Sequence, residues 1–194
     1  FLSSPSDAAP YESLSDGDRT HTVALTAVWE MPWGHGRLGG QSPTVVRKFI
    51  EGWKLSTIYR AMSGRPLGFP DMFVDGQLQT VSLPEDQRTV FRWFNTDAGF
   101  VRQSARQPGS HLRTFPLFFG DVREDGVNYW EAALIKEVVF TERVRLQLRV
   151  ESYNVLNHPQ FGDVNMTPTS GSFGRVTNEM VPPREIQFGL RLIF

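Results

Sequence analysis

Apolar and polar side chains alternate strictly over the last eleven residues, 184–194. One face carries Ile186, Phe188, Leu190, Leu192 and Phe194, and the other carries Glu185, Gln187, Gly189 and Arg191. A period of two predicts a β-strand with one apolar and one polar side. A strand that crosses a bilayer at a tilt needs about 9 to 11 residues. This segment therefore has the length of a membrane-spanning strand.

The same period recurs in four earlier segments. Five strands are predicted in all, at residues 20–30, 52–62, 128–140, 143–155 and 184–194. In the third strand the pattern weakens where Lys136 falls on the apolar side. Because the strands follow one another along the chain, we predict an all-β fold, a five-stranded antiparallel up-and-down meander.

Arginine positions predict which face of these strands meets lipid. An arginine at the bilayer midplane costs about 2 to 4 kcal/mol, so Arg145 and Arg149 are expected to face a barrel lumen. The predicted lumen-facing residues are Lys54, Arg60, Glu131, Glu137, Arg145, Gln147, Arg149, Glu151, Gln187 and Arg191. The predicted lipid-facing residues are Val23, Leu25, Leu55, Leu134, Leu146, Leu148, Phe188, Leu190 and Leu192.

Connections between the predicted strands differ greatly in length. Only Thr141 and Glu142 separate the third and fourth strands, whereas residues 63–127 and 156–183 are long and rich in Gly, Pro, Asn and Ser. Bacterial barrels have short periplasmic turns and long extracellular loops. We therefore predict that Phe194 ends at the periplasmic rim and that both long loops are extracellular. Residues 1–18 are predicted to be the remnant of another extracellular loop, and residues 19–194 the barrel segment.

Two further expectations follow from this topology. Trp29, Trp53, Phe140 and Phe194 should lie at the same periplasmic rim, because aromatic residues form girdles at the membrane interfaces. Lumen-facing residues are odd-numbered on both the third and the fourth strand. Because residues directly opposite each other share a face, the two residue numbers of such a pair must add up to an even number. Glu137 is therefore predicted to pair with Arg145 or Gln147, and not with Leu146.

Composition narrows the class of protein. The chain of 194 residues has no cysteine and a net charge of -1, so we expect no disulfide, no zinc site and no nucleic-acid partner. No apolar run approaches the roughly 18 residues of a membrane helix. Since the first residue is Phe1 and not Met, we expect a truncated gene product or a processed fragment.

Seven short motifs, taken together in this order, resemble the carboxy-terminal barrel of Oar-like TonB-dependent outer-membrane transporters. They lie at residues 18–21, 52–56, 63–66, 93–96, 141–151, 153–162 and 183–194. The resemblance covers most of the chain. It implies a curved open segment of a barrel of about 22 strands, the size of the plugged transporters.

The same resemblance implies a function and a set of partners. The function is the energised uptake of a large or scarce solute by a receptor with a plug and a carboxypeptidase-regulatory-like domain. The implied partners are the rest of the barrel and its plug, the TonB system through the amino-terminal part, the barrel-assembly machinery, the lipid bilayer and an unidentified solute. Gly189, Leu192 and Phe194 match the terminal signal read by that machinery, although Phe188 stands where a polar residue is usual.

Other candidate chemistry is weaker. Residues 34–39 fit G-x-G-x-x-G, but no helix opens at once and Pro43 follows, so a glycine-rich turn is the favoured interpretation. Two acidic loop clusters contain the oxygen donors that Ca²⁺ prefers, yet solvated loop charges are commoner; they are Asp71 and Asp75, and Asp121, Glu124 and Asp125. No catalytic residue, cofactor or metal is expected.

Two other functions remain open from the residues. One is an outer-membrane adhesin or export barrel without coupled uptake. The other is a soluble, secreted β-sandwich that binds glycans. The sandwich predicts that a helix or a second sheet covers the leucines of the apolar face, which are Leu146, Leu148, Leu190 and Leu192.

Overall fold

The computed structural model describes residues 12–36 and 38–194. Its chain divides into two compact units. We call residues 22–61, 127–159 and 181–194 the sheet unit, and residues 12–21, 62–126 and 160–180 the loop unit. The predicted loop remnant at residues 1–18 lies largely outside the described residues.

The sheet unit contains five long strands in one antiparallel sheet. They are β1 (Thr22–Glu30), β2 (Trp53–Met62), β5 (Val127–Val139), β6 (Arg145–Tyr153) and β9 (Glu185–Ile193). Their order across the sheet is β1-β2-β5-β6-β9. Strands β1 and β9 are thus the two edges, and in the described part of the chain each has a free row of backbone donors and acceptors.

The register of the central strands follows the side-chain alternation. Glu137 pairs with Gln147, which confirms the predicted register. On the next strand, Gln147 pairs with Arg191 and Leu148 pairs with Leu190. Because a slip of one residue would exchange the two faces, this pairing keeps polar residues with polar residues and leucines with leucines.

The turn between β5 and β6 is longer than Thr141 and Glu142. It holds five residues, 140–144, because β5 ends at Val139 and β6 begins at Arg145. The backbone N–H groups of Phe140 and Thr141 both donate to the carbonyl of Val144, at 3.0 and 3.2 Å. A turn with an odd number of residues is required when the numbers of paired residues add up to an even number, as those of Glu137 and Gln147 do.

A short helix interrupts the connection between β1 and β2. Helix α1 (Thr44–Ile50) follows Pro43. At its carboxy-terminal end, the backbone N–H of Glu51 donates to the carbonyl of Arg47 at 2.9 Å. Seven residues are too few for a hydrophobic period of 3.6 to stand out, so the sequence did not predict it. In the described residues, no helix is long and apolar enough to cross a membrane.

The loop unit has a hydrophobic core of its own, which the sequence did not predict. Two short sheets lie in the chain segments that form it: β3 (Pro66–Gly68) with β4 (Phe118–Arg123), and β7 (Gln160–Phe161) with β8 (Glu179–Val181). Phe69 and Phe94 are completely buried at its centre, with ring centroids 5.1 Å apart in an edge-to-face arrangement. The rest of the core is Leu67, Met72, Val74, Val81, Trp93, Ala98, Phe100, Phe115, Val122, Val164 and Phe173.

A buried asparagine closes the end of β6. Asn154 has a φ of 50° and is only 1% exposed. Its side-chain N–H donates to the carbonyls of His158 and Pro182 at 3.2 and 3.0 Å, and its Oδ1 accepts from His158 N–H at 3.1 Å. Asparagine suits this site because it tolerates a positive φ and bonds nearby backbone groups.

We expect Asn154→Ala to lower the free energy of unfolding by about 2 to 4 kcal/mol, because it removes three partly buried hydrogen bonds and places alanine at a positive φ. Asn157→Ala is the matched control, since Asn157 also has a positive φ (49°) but is exposed and accepts one side-chain bond, from Arg184 N–H. The free energy of unfolding of both variants is measured by urea unfolding of the protein in vesicles. Equal losses would show that the buried hydrogen bonds of Asn154 contribute nothing.

Candidate functional site

One face of the sheet is a wall of polar side chains. Register and alternation place all ten of the predicted lumen-facing residues on it. Across the sheet, Glu137, Gln147 and Arg191 stand in one row, and Glu151 pairs with Gln187. That this face lines a lumen stays a prediction.

Charges of both signs are paired along this wall. Arg149 lies 2.7 Å from Glu151, Lys54 lies 2.9 Å from Glu30, and Arg145 lies 3.5 Å from Glu137. Each pair is at least partly exposed, and exposed pairs contribute only about 0 to 1 kcal/mol. Within each pair the two charges offset one another, and the wall as a whole carries side chains of both signs.

A small hollow lies in the wall. Small side chains of Ser56 and Ala133 form its floor, and Glu131, Arg149 and Tyr153 stand around it. Its volume is about 80 Å³, whereas binding sites for small molecules measure about 300 to 1,000 Å³. The hollow can hold water but is too small to hold a large solute.

The opposite face is apolar and, away from helix α1, uncovered. Leu146 pairs with Leu192, Leu148 with Leu190, and Val150 with Phe188. Leu148 and Leu190 are 43% and 69% exposed, so within the described residues no second layer covers them. A continuous exposed apolar face of this kind marks contact with a membrane or a partner.

Aromatic residues lie near both ends of this apolar face. Trp29, Trp53 and Phe194 stand at the ends of their strands on the side where β9 ends, which we call the Phe194 end. Trp130 lies toward the other end, where its indole N–H donates to Thr57 Oγ1. From Trp130 to Val139, where β5 ends, the strand spans about 30 Å at about 3.3 Å per residue. A tilt of about 40° reduces this to about 23 Å, close to the height of about 25 Å that the apolar band of outer-membrane barrels has.

Lys136 is the exception on the apolar face. It is 5% exposed, and its Nζ donates to the carbonyls of Lys48, at 2.6 Å, and of Glu51. Its ammonium also lies 5.6 Å from the ring centroid of Trp53, within range of a cation–π contact. The break in the apolar pattern therefore coincides with the place where helix α1 packs.

Acidic side chains of both clusters in the loop unit lie close to basic side chains or accept hydrogen bonds. Asp75 lies 2.5 Å from Arg106, and Asp71 lies 3.2 Å from His111. Glu124 accepts two hydrogen bonds from Arg65, at 2.9 and 3.0 Å, and these bonds with the carboxylate charge raise the pKa of Arg65. Over residues 12–36 and 38–194, no group of three or more His, Asp or Glu side chains is placed to hold a metal ion.

The glycine-rich segment at residues 34–39 forms a turn in its described part. Gly34, Gly36 and Gly39 have φ values of 112°, 71° and 74°, which favour glycine. Gly34 N–H donates to the carbonyl of Leu38 at 3.0 Å. Arg37 of this segment lies outside the described residues.

The motif at residues 93–96 joins separate parts of the loop unit. The indole N–H of Trp93 donates to the carbonyl of Arg123, and its backbone N–H donates to the carbonyl of Gly174, both at 2.8 Å. The side chain of Asn95 donates to the carbonyl of Thr80 at 2.9 Å. The motif therefore links three separate segments of the loop unit through hydrogen bonds.

Comparison with known proteins identifies a family. The model of a family described as "Outer membrane beta barrel domain" matches residues 2–187. Neither the curated proteins nor the solved structures give a match. An antiparallel sheet with one apolar and one polar face is the architecture that such a barrel uses to cross lipid. The chain belongs to the outer membrane β-barrel domain family, and its location is the bacterial outer membrane.

Proposed function

We propose that this chain is the carboxy-terminal barrel segment of an Oar-like TonB-dependent outer-membrane transporter. Its role is the energised uptake of a large or scarce solute, without catalysis. The observation that carries the proposal is the folded loop unit, because a barrel that only crosses the membrane has no need of a separate aromatic core. The motifs shared with Oar-like transporters, residues 93–96 among them, supply the second support.

The loop unit is the proposed solute receptor. Residues 63–126 connect β2 to β5, and residues 154–184 connect β6 to β9, so both segments join strand ends opposite the Phe194 end. Long loops lie on the extracellular side of bacterial barrels. A recognition surface built on the rigid core around Phe69 and Phe94 then faces the medium.

A larger barrel is part of the proposal. The smallest single-chain outer-membrane barrels use about 8 strands, and this sheet has five with β1 and β9 as edges. We propose that both edges pair with further strands of a barrel of about 22 strands, which leaves room for a plug. The barrel-assembly machinery is the proposed reader of Gly189, Leu192 and Phe194 at the end of β9.

The polar wall is proposed to contact the plug and the passing solute. Because it carries charges of both signs and its hollow measures only about 80 Å³, it is suited to passage and to plug packing. Selection of the solute is assigned to the loop unit. The wall then needs no preference for one charge.

Binding to TonB tests the proposal. The full-length protein is purified from outer membranes, and its binding to the isolated periplasmic domain of TonB from the same bacterium is measured. We expect binding that is lost when the energy-coupling box of the full-length reading frame is deleted. A reading frame that encodes no plug, together with no TonB binding, would instead support an adhesin or export barrel.

A further inference from the structure

Helix α1 covers the one lysine on the apolar face of the sheet. Lys136 Nζ donates to two carbonyls, those of Lys48 and Glu51, at the carboxy-terminal end of α1. That end carries the negative pole of the helix dipole, which favours a cation. Without α1, a buried charge would stand beside Leu148 and Val138 on the face that meets lipid, where charge is costly.

The outer face of α1 is apolar. Val45, Val46 and Phe49 lie on one side of the helix, and Val45 and Phe49 are 69% and 73% exposed. Lys48 is also exposed. A short helix with exposed apolar residues and a flanking cation is typical of segments that lie in a membrane interface.

Trp53 connects the helix to the strand at the same level. Its indole N–H donates to the carbonyl of Phe49 at 2.7 Å. Tryptophan is enriched at membrane interfaces, where its ring meets apolar groups and its N–H finds a polar partner. The level of α1 is therefore that of the aromatic rim at the Phe194 end.

A groove lies between α1 and the strands. It has a volume of about 390 Å³. Its walls are almost entirely apolar, formed by Phe49, Trp53, Val138 and Leu148 with the stems of Lys48 and Lys136. The groove is continuous with the apolar face through Trp53, Lys136 and Leu148, which also line the neighbouring hollow.

We propose that α1 is an interfacial helix of the phospholipid leaflet at the Phe194 end, anchored by Lys136, and that the groove beside it holds a phospholipid acyl chain. A phospholipid is the occupant because the groove continues the face that meets lipid in this family. Lys48 lines the groove and is exposed, and its ammonium is the proposed partner of the lipid phosphate. The inference rests on membership of the barrel family and not on the proposed uptake.

Fluorescence quenching tests this proposal in the full-length protein. These 194 residues contain no cysteine, so once any cysteine elsewhere in the full-length protein has been replaced by serine, Val46→Cys provides a single labelling site for an environment-sensitive fluorophore. The protein is reconstituted in vesicles of phosphatidylethanolamine and phosphatidylglycerol, with lipids brominated near the carbonyl end of the acyl chain or with iodide in the water. We expect bromolipid to quench the label at least twofold more than iodide does. His35→Cys, an exposed site in the same connection, should be quenched by iodide alone.

Two results would overturn the interfacial position of α1. Quenching at position 46 by iodide alone would place the helix in water. Protection from both quenchers would show that a protein, either a second copy or a periplasmic partner, covers it.

Lys136→Met tests the anchor separately. Methionine keeps the length and apolar character of the side chain but cannot donate to the α1 carbonyls. We expect iodide quenching at position 46 to rise at least twofold, with unchanged heat-dependent gel mobility. Lys54→Met, on the polar face, is the control and should leave the quenching unchanged. If Lys136→Met also leaves it unchanged, Lys136 does not anchor the helix.

Discussion

Replacing Leu148 by arginine is expected to block assembly of the protein into the membrane, whereas replacing Gln147 by arginine is expected to leave assembly intact. Leu148 pairs with Leu190 on the apolar face, and Gln147 pairs with Glu137 and Arg191 on the polar wall. An arginine facing lipid near the midplane costs about 2 to 4 kcal/mol. On the polar wall the same charge stays hydrated and lies between Glu137 and Arg191, so that attraction to the first offsets repulsion from the second.

Heat-dependent gel mobility of outer-membrane fractions measures this pair of variants. Both carry the same new charge, one residue apart in the same strand, so differences in expression or net charge cancel. If Leu148→Arg assembles normally and Gln147→Arg fails to assemble, the assignment of the lipid-facing and lumen-facing sides would have to be reversed. Folding of Leu148→Arg in water with only a loss of stability would favour a soluble β-sandwich.

Replacing Phe94 by alanine is expected to unfold the loop unit and to leave the sheet unit assembled. Phe94 is fully buried and packs edge-on against Phe69 and Phe173, with centroid distances of 5.1 and 5.3 Å. Truncation of a buried phenylalanine costs about 3 to 5 kcal/mol, which is a large part of the stability of a small domain.

Limited proteolysis of assembled protein in whole cells measures the Phe94→Ala effect. We expect new cleavage within residues 62–126 or 160–180 and unchanged mobility of the barrel. Phe91→Ala is the matched control, because Phe91 is 71% exposed and its removal leaves no cavity. Equal protection of Phe94→Ala and wild type would show that the aromatic core does not hold the loop unit together.

The sheet register could be predicted from sequence because a strand has a fixed side-chain period of two. Once Arg145 and Arg149 were assigned to one face, the odd-numbered residues of β6 had to face the same side as Glu137, which left Gln147 or Arg145 as its partner. The structure shows that the partner is Gln147. The length of the turn was wrong because Arg143 and Val144 continue the alternation of β6. In the structure the carbonyl of Val144 closes the turn instead.

The loop unit could not be predicted in the same way. Its core gathers residues from distant segments, such as Phe69, Phe94 and Phe173, and no local period links them. The signal that was present is the frequency of phenylalanine within segments that otherwise look like loops. Clustered aromatic residues are seldom left in solvent, because each buries about 150 to 250 Å² on packing.

Lys136 shows how a local exception can carry information. A lysine on an apolar strand face predicts either a weak strand end or a buried partner. The partner is a pair of backbone carbonyls, of Lys48 and Glu51, and backbone groups leave no trace in a sequence pattern. The helix that presents them is too short to be predicted, so only the structure shows why the lysine is there.

A cysteine scan along β6 tests the central claim most directly. Single cysteines at residues 146–151 of the full-length protein are labelled and exposed to brominated lipid in vesicles, with iodide as the aqueous quencher. The structure and the family predict a strict alternation, with Leu146, Leu148 and Val150 quenched by lipid and Gln147, Arg149 and Glu151 quenched by iodide. Reversed alternation, or equal quenching at all six positions, would contradict a membrane-spanning sheet with its polar wall toward the lumen.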